Sequence, residues 1–133
     1  MHTSNLGERK LTELDFTRLG KFTAAGATPK LADILDDAEV VPARAIPADV
    51  VTMYAQFVIR DLNMQRRQIL VICYPPDAEP GTGFISVLSP AGMGLIGLPV
   101  GALARWIAPG GEETVVQIEE ILFQPEATGD YVT

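Results

Sequence analysis

The chain has one cysteine and one histidine among its 133 residues. Cys73, being alone, cannot close a disulfide within the chain or complete a cysteine-based zinc site. It sits in the apolar run Ile69 to Tyr74, where a thiol serves as a small buried hydrophobe. His2 lies in a polar opening stretch, so no Ser-His or Cys-His pair can be assembled in a rigid site. Aromatic residues make up only 7% of the chain and are scattered along it. Positive charge is also scarce, with 10 Lys and Arg against 17 Asp and Glu and a net charge of −7. An acidic chain lacks the counterion release that drives nucleic-acid binding. Sequence-specific binding to DNA or RNA is therefore not expected; a protein partner with a basic or mixed surface is. No apolar run is long enough to span a membrane, because charges and prolines interrupt each candidate. The first ten residues lack the apolar core of a signal peptide. These absences predict a cytoplasmic protein with no membrane partner. They leave no catalytic residue, cofactor or metal ligand to name.

Phe84 to Gly101 is the organising stretch. Phe84 to Leu88 alternates like a strand. Ser89 then offers an N-cap and Pro90 a first helical residue with no N–H to satisfy. Gly97, Pro99 and Gly101 end the helix within about three turns. Met93, Leu95, Ile96 and Leu98 are apolar on nearly every side, which predicts a short helix clasped by a sheet. Gly92, Gly94 and Gly97 match the spacing of a dinucleotide-binding fingerprint. That reading is rejected, because no full crossover helix and no acidic residue after a parallel strand follow. The glycines are read instead as places where the helix packs closely against strands.

The rest of the chain falls into line around this stretch. Leu11 to about Ala25 reads as a helix, capped by Thr12 with Asp15 in the acidic place of a capping box. Phe16, Leu19 and Phe22 give it an apolar stripe. Thr28-Pro29 restarts a helix whose Leu31, Ile34, Leu35 and Ala38 share one face. Asp33, Asp36 and Asp37, with Glu39 beyond them, form a solvated acidic face rather than a metal site, since no bent loop gathers them. Pro42 and Pro47 mark an extended linker, Val41 to Ala48. Val51 to Arg60 alternates as a strand, with Val51, Met53, Ala55, Phe57 and Ile59 inward and Thr52, Tyr54, Gln56 and Arg60 outward. Gln68 to Tyr74 returns as a second strand, and Pro75 to Gly83 is a loop of breakers. Gly81-Thr-Gly83 lacks the lysine or helix that a phosphate cradle would need. Ala102 to Ala108 and Thr114 to Phe123 close the sheet. Trp106 and Ala104 face inward on the first of these, and Leu103 and Ile107 outward. Glu119-Glu120 breaks the alternation of the last strand, as a bulge or an edge would. The tail from Gln124 reads as polar and loose. Strands with a short helix among them predict an α+β fold, residues 1–48 carrying a tail, helical hairpin and linker, and 49–133 the sheet domain.

Ile85-Ser-Val-Leu-Ser-Pro90, then Leu95-Ile-Gly97, then Pro109-Gly-Gly111 before a strand, resembles the C-terminal domain of Gre-type transcription elongation factors. Asp49-Val-Val-Thr-Met53 and Phe123-Gln-Pro-Glu-Ala127 extend the resemblance to the Rnk (regulator of nucleoside diphosphate kinase) branch of that family. Relatives usually carry Gly-Asp after the short helix, where this chain has Gly101-Ala102. The resemblance implies an FKBP-like antiparallel sheet with one packed helix and a short antiparallel helical hairpin projecting from it. It implies RNA polymerase as partner, contacted through Leu88, Ser89 and Pro90, and a hairpin tip at Phe22, Thr23, Ala24, Gly26 and Thr28. Some Gre factors carry an aspartate where Leu88 stands. In Gre factors acidic residues at the tip of a long coiled coil assist metal-dependent transcript cleavage. The segment Phe22 to Thr28 contains no acid, so binding without cleavage is the expectation. The alternative from the same fold resemblance is a peptidyl-prolyl isomerase or peptide-binding module. Leu103 and Ile107, facing outward together, predict a weak homodimer or a partner surface.

Overall fold

The structure is a computed structural model and describes residues 9–24 and 29–131. Its centre is a five-stranded curled sheet, built from β3 (Gln56–Asp61), β4 (Arg66–Cys73), β5 (Phe84–Ser86), β6 (Leu103–Ile107) and β7 (Glu113–Phe123) in the order β5-β4-β3-β7-β6. Neighbours are antiparallel except β4 and β5, which run parallel. Strand β3 begins at Gln56, five residues later than the alternation suggests. Ala55 N–H donates to the Thr52 carbonyl at 3.1 Å, and Tyr54 has φ +66°, so the chain turns here before it extends. Val51, Met53, Ala55, Phe57 and Ile59 are nonetheless all buried, as the pattern predicts. Thr52 is buried too, contrary to expectation, because its hydroxyl donates to Glu126 at 2.7 Å.

Pairing of β3 with β7 slips twice, skipping Glu119 and Leu122. The break in alternation at Glu119-Glu120 is thus a bulge, on a strand inside the sheet rather than at its edge. On β6, Ala104 is buried and Leu103 and Ile107 are exposed, so the predicted register holds.

Two short strands, β1 (Lys10–Thr12) and β2 (Glu39–Val41), run parallel and bracket the helices α1 (Glu13–Ala24) and α2 (Pro29–Asp37). Helix α1 therefore starts at Glu13, because Leu11 and Thr12 are drawn into this ladder. Thr12 still caps it: its Oγ1 accepts from the Asp15 amide at 3.0 Å. Asp15 does more than attend a cap. It is buried, and its Oδ2 accepts from the Met53 amide at 3.3 Å. In the stripe of α1, Leu19 is buried but Phe16 lies at the surface. Helix α2 buries Leu31, Ile34 and Leu35 and exposes Asp33, Asp36 and Asp37. The supposed linker holds the end of β2 and one 3-10 turn, Ala43–Ala45.

The hairpin does not project. Leu11, Leu19, Leu31, Ile34 and Leu35 share one hydrophobic cluster with Phe57, Ile72, Leu95, Ile96, Leu98 and Ile118. Each such side chain stabilises the fold by roughly 1.5–3 kcal/mol when fully buried. The start of the predicted tail is anchored too. Gln124 is buried, and its Nε2 donates to the carbonyls of Pro47 and Val50 at 2.9 Å each. Among the described residues no helix is long and apolar enough to cross a membrane.

Candidate functional site

The predicted contact residues stand at the start of helix α3 (Pro90–Leu95): Leu88 precedes it, Ser89 caps it and Pro90 is its first residue. Ser89 caps it as its sequence requires, Oγ accepting from the Gly92 amide at 3.1 Å. The same hydroxyl donates to the Ser86 carbonyl at 2.6 Å. Ser86 Oγ in turn accepts from the Leu88 amide at 3.0 Å. The turn from Ser86 to Pro90 is thus laced by its own serines, and Ser89 spends its hydroxyl on shape. Leu88 is half-buried against the core, and Pro90 is exposed. The three predicted residues lie together, but what they offer a partner is an apolar surface.

That surface continues into a cleft of about 270 Å³ flanked by Pro80, Ile85, Pro90, Trp106 and Pro109, among others. Three prolines and a tryptophan give it stiff walls. Trp106 and Pro109 come from β6 and the turn after it, Pro80 from the loop before β5. The alternation of β6 predicts Trp106 on the inner face. It is half-buried and borders the cleft as well.

The helix is held from both sides. A Cβ added at Gly92 would sit 2.1 Å from the Ser86 carbonyl oxygen, so only glycine lets α3 lie against the β5 end. A Cβ at Gly94 would meet the Trp106 ring at 3.1 Å. The glycines that mimic a nucleotide fingerprint are filled by this packing, with no space left for a pyrophosphate. At the other end, Arg9 donates from Nη1 to the Ile96 carbonyl at 2.6 Å and the Met93 carbonyl at 3.2 Å, and from Nη2 to the Gly94 carbonyl at 3.3 Å. Lys10 N–H reaches the Gly97 carbonyl at 2.9 Å. A cation on the last carbonyls of a helix satisfies groups that have no partner within it. Nothing in the local sequence around residue 9 announces this.

The other predicted region is only partly described. Phe22 stacks on Tyr74 with centroids 6.1 Å apart, and Thr23 Oγ1 donates to the Gly20 carbonyl at 2.8 Å. Ala24 ends α1, while Gly26 and Thr28 lie outside the described residues. No three His, Cys, Asp or Glu side chains are placed to hold a metal among the described residues. Asp15 is the most perturbed acid. Burial raises its pKa from 3.8 to about 7, against the Met53 amide bond, with Glu126 raising it further and Arg18 and Thr12 lowering it. It ties α1 to the Met53 backbone, lines no part of the cleft, and is a structural group.

Comparison with known proteins converges on this architecture. The family described as transcription elongation factor GreA/GreB, C-terminal, matches residues 46–123. The regulator of nucleoside diphosphate kinase of Escherichia coli strain K12 is 36% identical over 98 residues, 74% of this chain and 72% of that protein. Transcription elongation factor GreA of Chelativorans is 33% identical over 86 residues, 65% of this chain and 55% of that protein. Among solved structures, a GreA/GreB elongation factor from Nitrosomonas europaea superposes with a TM-score of 0.73 at 32% identity, over 87% of this chain and 98% of that one. By the span of the family match and the shared fold, the chain belongs to the GreA/GreB transcription elongation factor family, through that family's C-terminal domain.

Proposed function

We propose that this protein is a non-enzymatic transcription regulator that binds RNA polymerase through the α3 turn, at Leu88, Ser89 and Pro90, and does not stimulate transcript cleavage. The observation that carries the reading is the stiff apolar cleft beside Pro90, inside the segment matched to the family. An apolar surface rimmed by prolines and an indole loses little entropy on binding, which favours a protein partner. The second part rests on the residues from Phe22 to Thr28, which include no carboxylate. Cleavage by a two-metal route needs carboxylates at the reacting phosphate. The protein acts in the cytoplasm, and its acidic net charge argues against direct, sequence-specific nucleic-acid contact.

The FKBP-like description of the sheet goes with this reading, but a proline-isomerase activity draws no support from the site. Phe22, Tyr54 and Tyr74 gather beside the hairpin, while Trp106 stands alone at the cleft. Weak self-association through Leu103 and Ile107 is supported by their exposure, 41% and 57%, on one face of β6.

The protein should co-purify with RNA polymerase core. Pro90→Asp should lower that affinity at least about tenfold, as a charge in an apolar contact does, with the thermal melt unchanged. Undiminished binding by a folded Pro90→Asp protein would move the contact elsewhere. Robust transcript cleavage in a purified backtracked complex would refute the second part.

A further inference from the structure

The Arg9 clamp joins two parts of the molecule that the sequence keeps more than 80 positions apart. The residue stands directly before β1, and its carbonyl accepts from the Glu39 amide at 2.9 Å, at the foot of α2. Its guanidinium closes the far end of α3, whose near end carries Ser89 and Pro90. A Cβ added at Gly97 would lie 3.1 Å from the Lys10 carbonyl oxygen and 3.4 Å from the Arg9 Cβ. Backbone and side chain of residues 9 and 10 therefore roof the end of the helix.

A helix of six residues cannot hold its own shape. Nucleation costs more than so few hydrogen bonds return, and its stability must come from outside. Here the outside supports are the serine lacing at one end and the guanidinium at the other. Both ends of the helical hairpin meet at the same place, since β1 leads into α1 and β2 leads out of α2.

We propose that Arg9 is a positioning residue for the partner contact, coupling the base of the helical hairpin to the α3 turn. Whatever fixes the hairpin base tightens the contact helix, and a partner seated at Pro90 orders residues 9–12 in return, since coupling between two sites is reciprocal. This inference rests on the reading of Leu88–Pro90 as the polymerase contact.

The test uses the full chain and two independent measurements. Arg9→Ala and Lys10→Ala are compared by backbone amide exchange and by affinity for RNA polymerase core. Lys10→Ala removes the neighbouring ion pair to Glu39, at 3.7 Å, and leaves the guanidinium in place. In Arg9→Ala the amides of Met93 and Ile96, which close α3, should exchange about tenfold faster, with β3 amides unchanged, as local opening does. Polymerase affinity should fall about fivefold or more. Lys10→Ala should move neither quantity. If Arg9→Ala does not fold, Arg9→Lys, which keeps the charge and loses the fork, should show a smaller change of the same kind in both.

Unchanged exchange at Met93 and Ile96 would overturn the clamp. Faster exchange with unchanged affinity, while Pro90→Asp still blocks binding, would overturn the coupling and leave the contact standing. If neither Arg9→Ala nor Pro90→Asp weakens binding, the contact itself is misplaced and the coupling falls with it.

Discussion

The two faces of the sheet follow different rules. The inner face, with Phe57, Ile59, Leu70, Ile72, Ala104, Val116 and Ile118, is sealed beneath α3 and the helical hairpin. The outer face carries Ile69, Leu103 and Ile107 in solvent and is bound together by charge: Glu119 accepts from Arg60 at 2.6 Å and pairs with Arg67 at 2.8 Å. Each side also holds one carboxylate in a marked state, and the states are opposite. Asp15, deep on the inner side, is pushed up to about 7 by burial. Glu119, on the outer side, is held below its ordinary 4.5, chiefly by the hydrogen bond from Arg60. Packing decides the inner side, where a misplaced atom or an unpaired charge is costly. Solvent levels the outer side, where ion pairs contribute little.

The largest effect should come from Gly92→Ala. An atom 2.1 Å from a backbone oxygen cannot be absorbed by a side-chain rotation. Loss of about 3 kcal/mol or more is expected, toward or beyond the upper end for overpacked cores. A thermal melt lowered by less than a few degrees would mean that α3 lies less tightly than described.

Asp15 sharpens the contrast through pH. An unfolded chain releases this proton from about pH 3.8, and the folded chain keeps it until about 7. Across that window stability should fall as pH rises, and level off above it. Asp15→Asn keeps an acceptor for the Met53 amide and removes the titration. It should gain on the order of 2 kcal/mol over the parent at pH 8 and converge with it, or fall slightly below, at pH 4. Parallel melting curves for the two proteins across pH 4–8 would refute this.

Glu119→Gln probes the outer face with the opposite sign. The lowered pKa means that its contribution is present at neutral pH and fades only as acid protonates it. The parent's small advantage should vanish in acid and in high salt. A large loss at neutral pH, comparable to that of Gly92→Ala, would overturn the view that the outer face tolerates change.

The smallest effect on stability belongs to Leu103→Lys with Ile107→Lys. Both side chains are already in solvent, so folding should be intact while sedimentation shifts toward monomer. An unfolded double variant would put those residues in the core. An unchanged profile in a folded one would remove β6 from self-association.

The elements most legible in the sequence were those whose cause is local. Ser89-Pro90 announces a cap, alternation through β6 separates Ala104 from Leu103 and Ile107, and Glu119-Glu120 announces a bulge or an edge. What stayed hidden depends on distant partners. A parallel step from β4 to β5 ordinarily needs a crossover of a dozen residues or more; here two 3-10 turns, Pro75–Asp77 and Pro80–Thr82, manage it. Strands of three residues such as β1 and β2 are too short to show a period. Arg9, Asp15 and Gln124 look like solvent-facing residues by type, and each is enlisted by backbone groups far along the chain. At the site, the cap and the exposed proline were readable, but the cleft was not, because Pro80, Trp106 and Pro109 meet only in the fold.

The position of β7 in the sheet bears on how the chain is made. This strand lies between β3 and β6, yet it is the last of the seven to leave the ribosome. Until Glu113 to Gln117 emerge, β6 has nothing to pair with, and until residue 123 follows, β3 shows a bare edge. Gln124, which ties the segment after β7 back to Pro47 and Val50, arrives later still. Pairings this distant along the chain form slowly. The sheet therefore cannot close until β7 has been made. A stop near residue 112 should yield no folded intermediate, only a substrate for degradation.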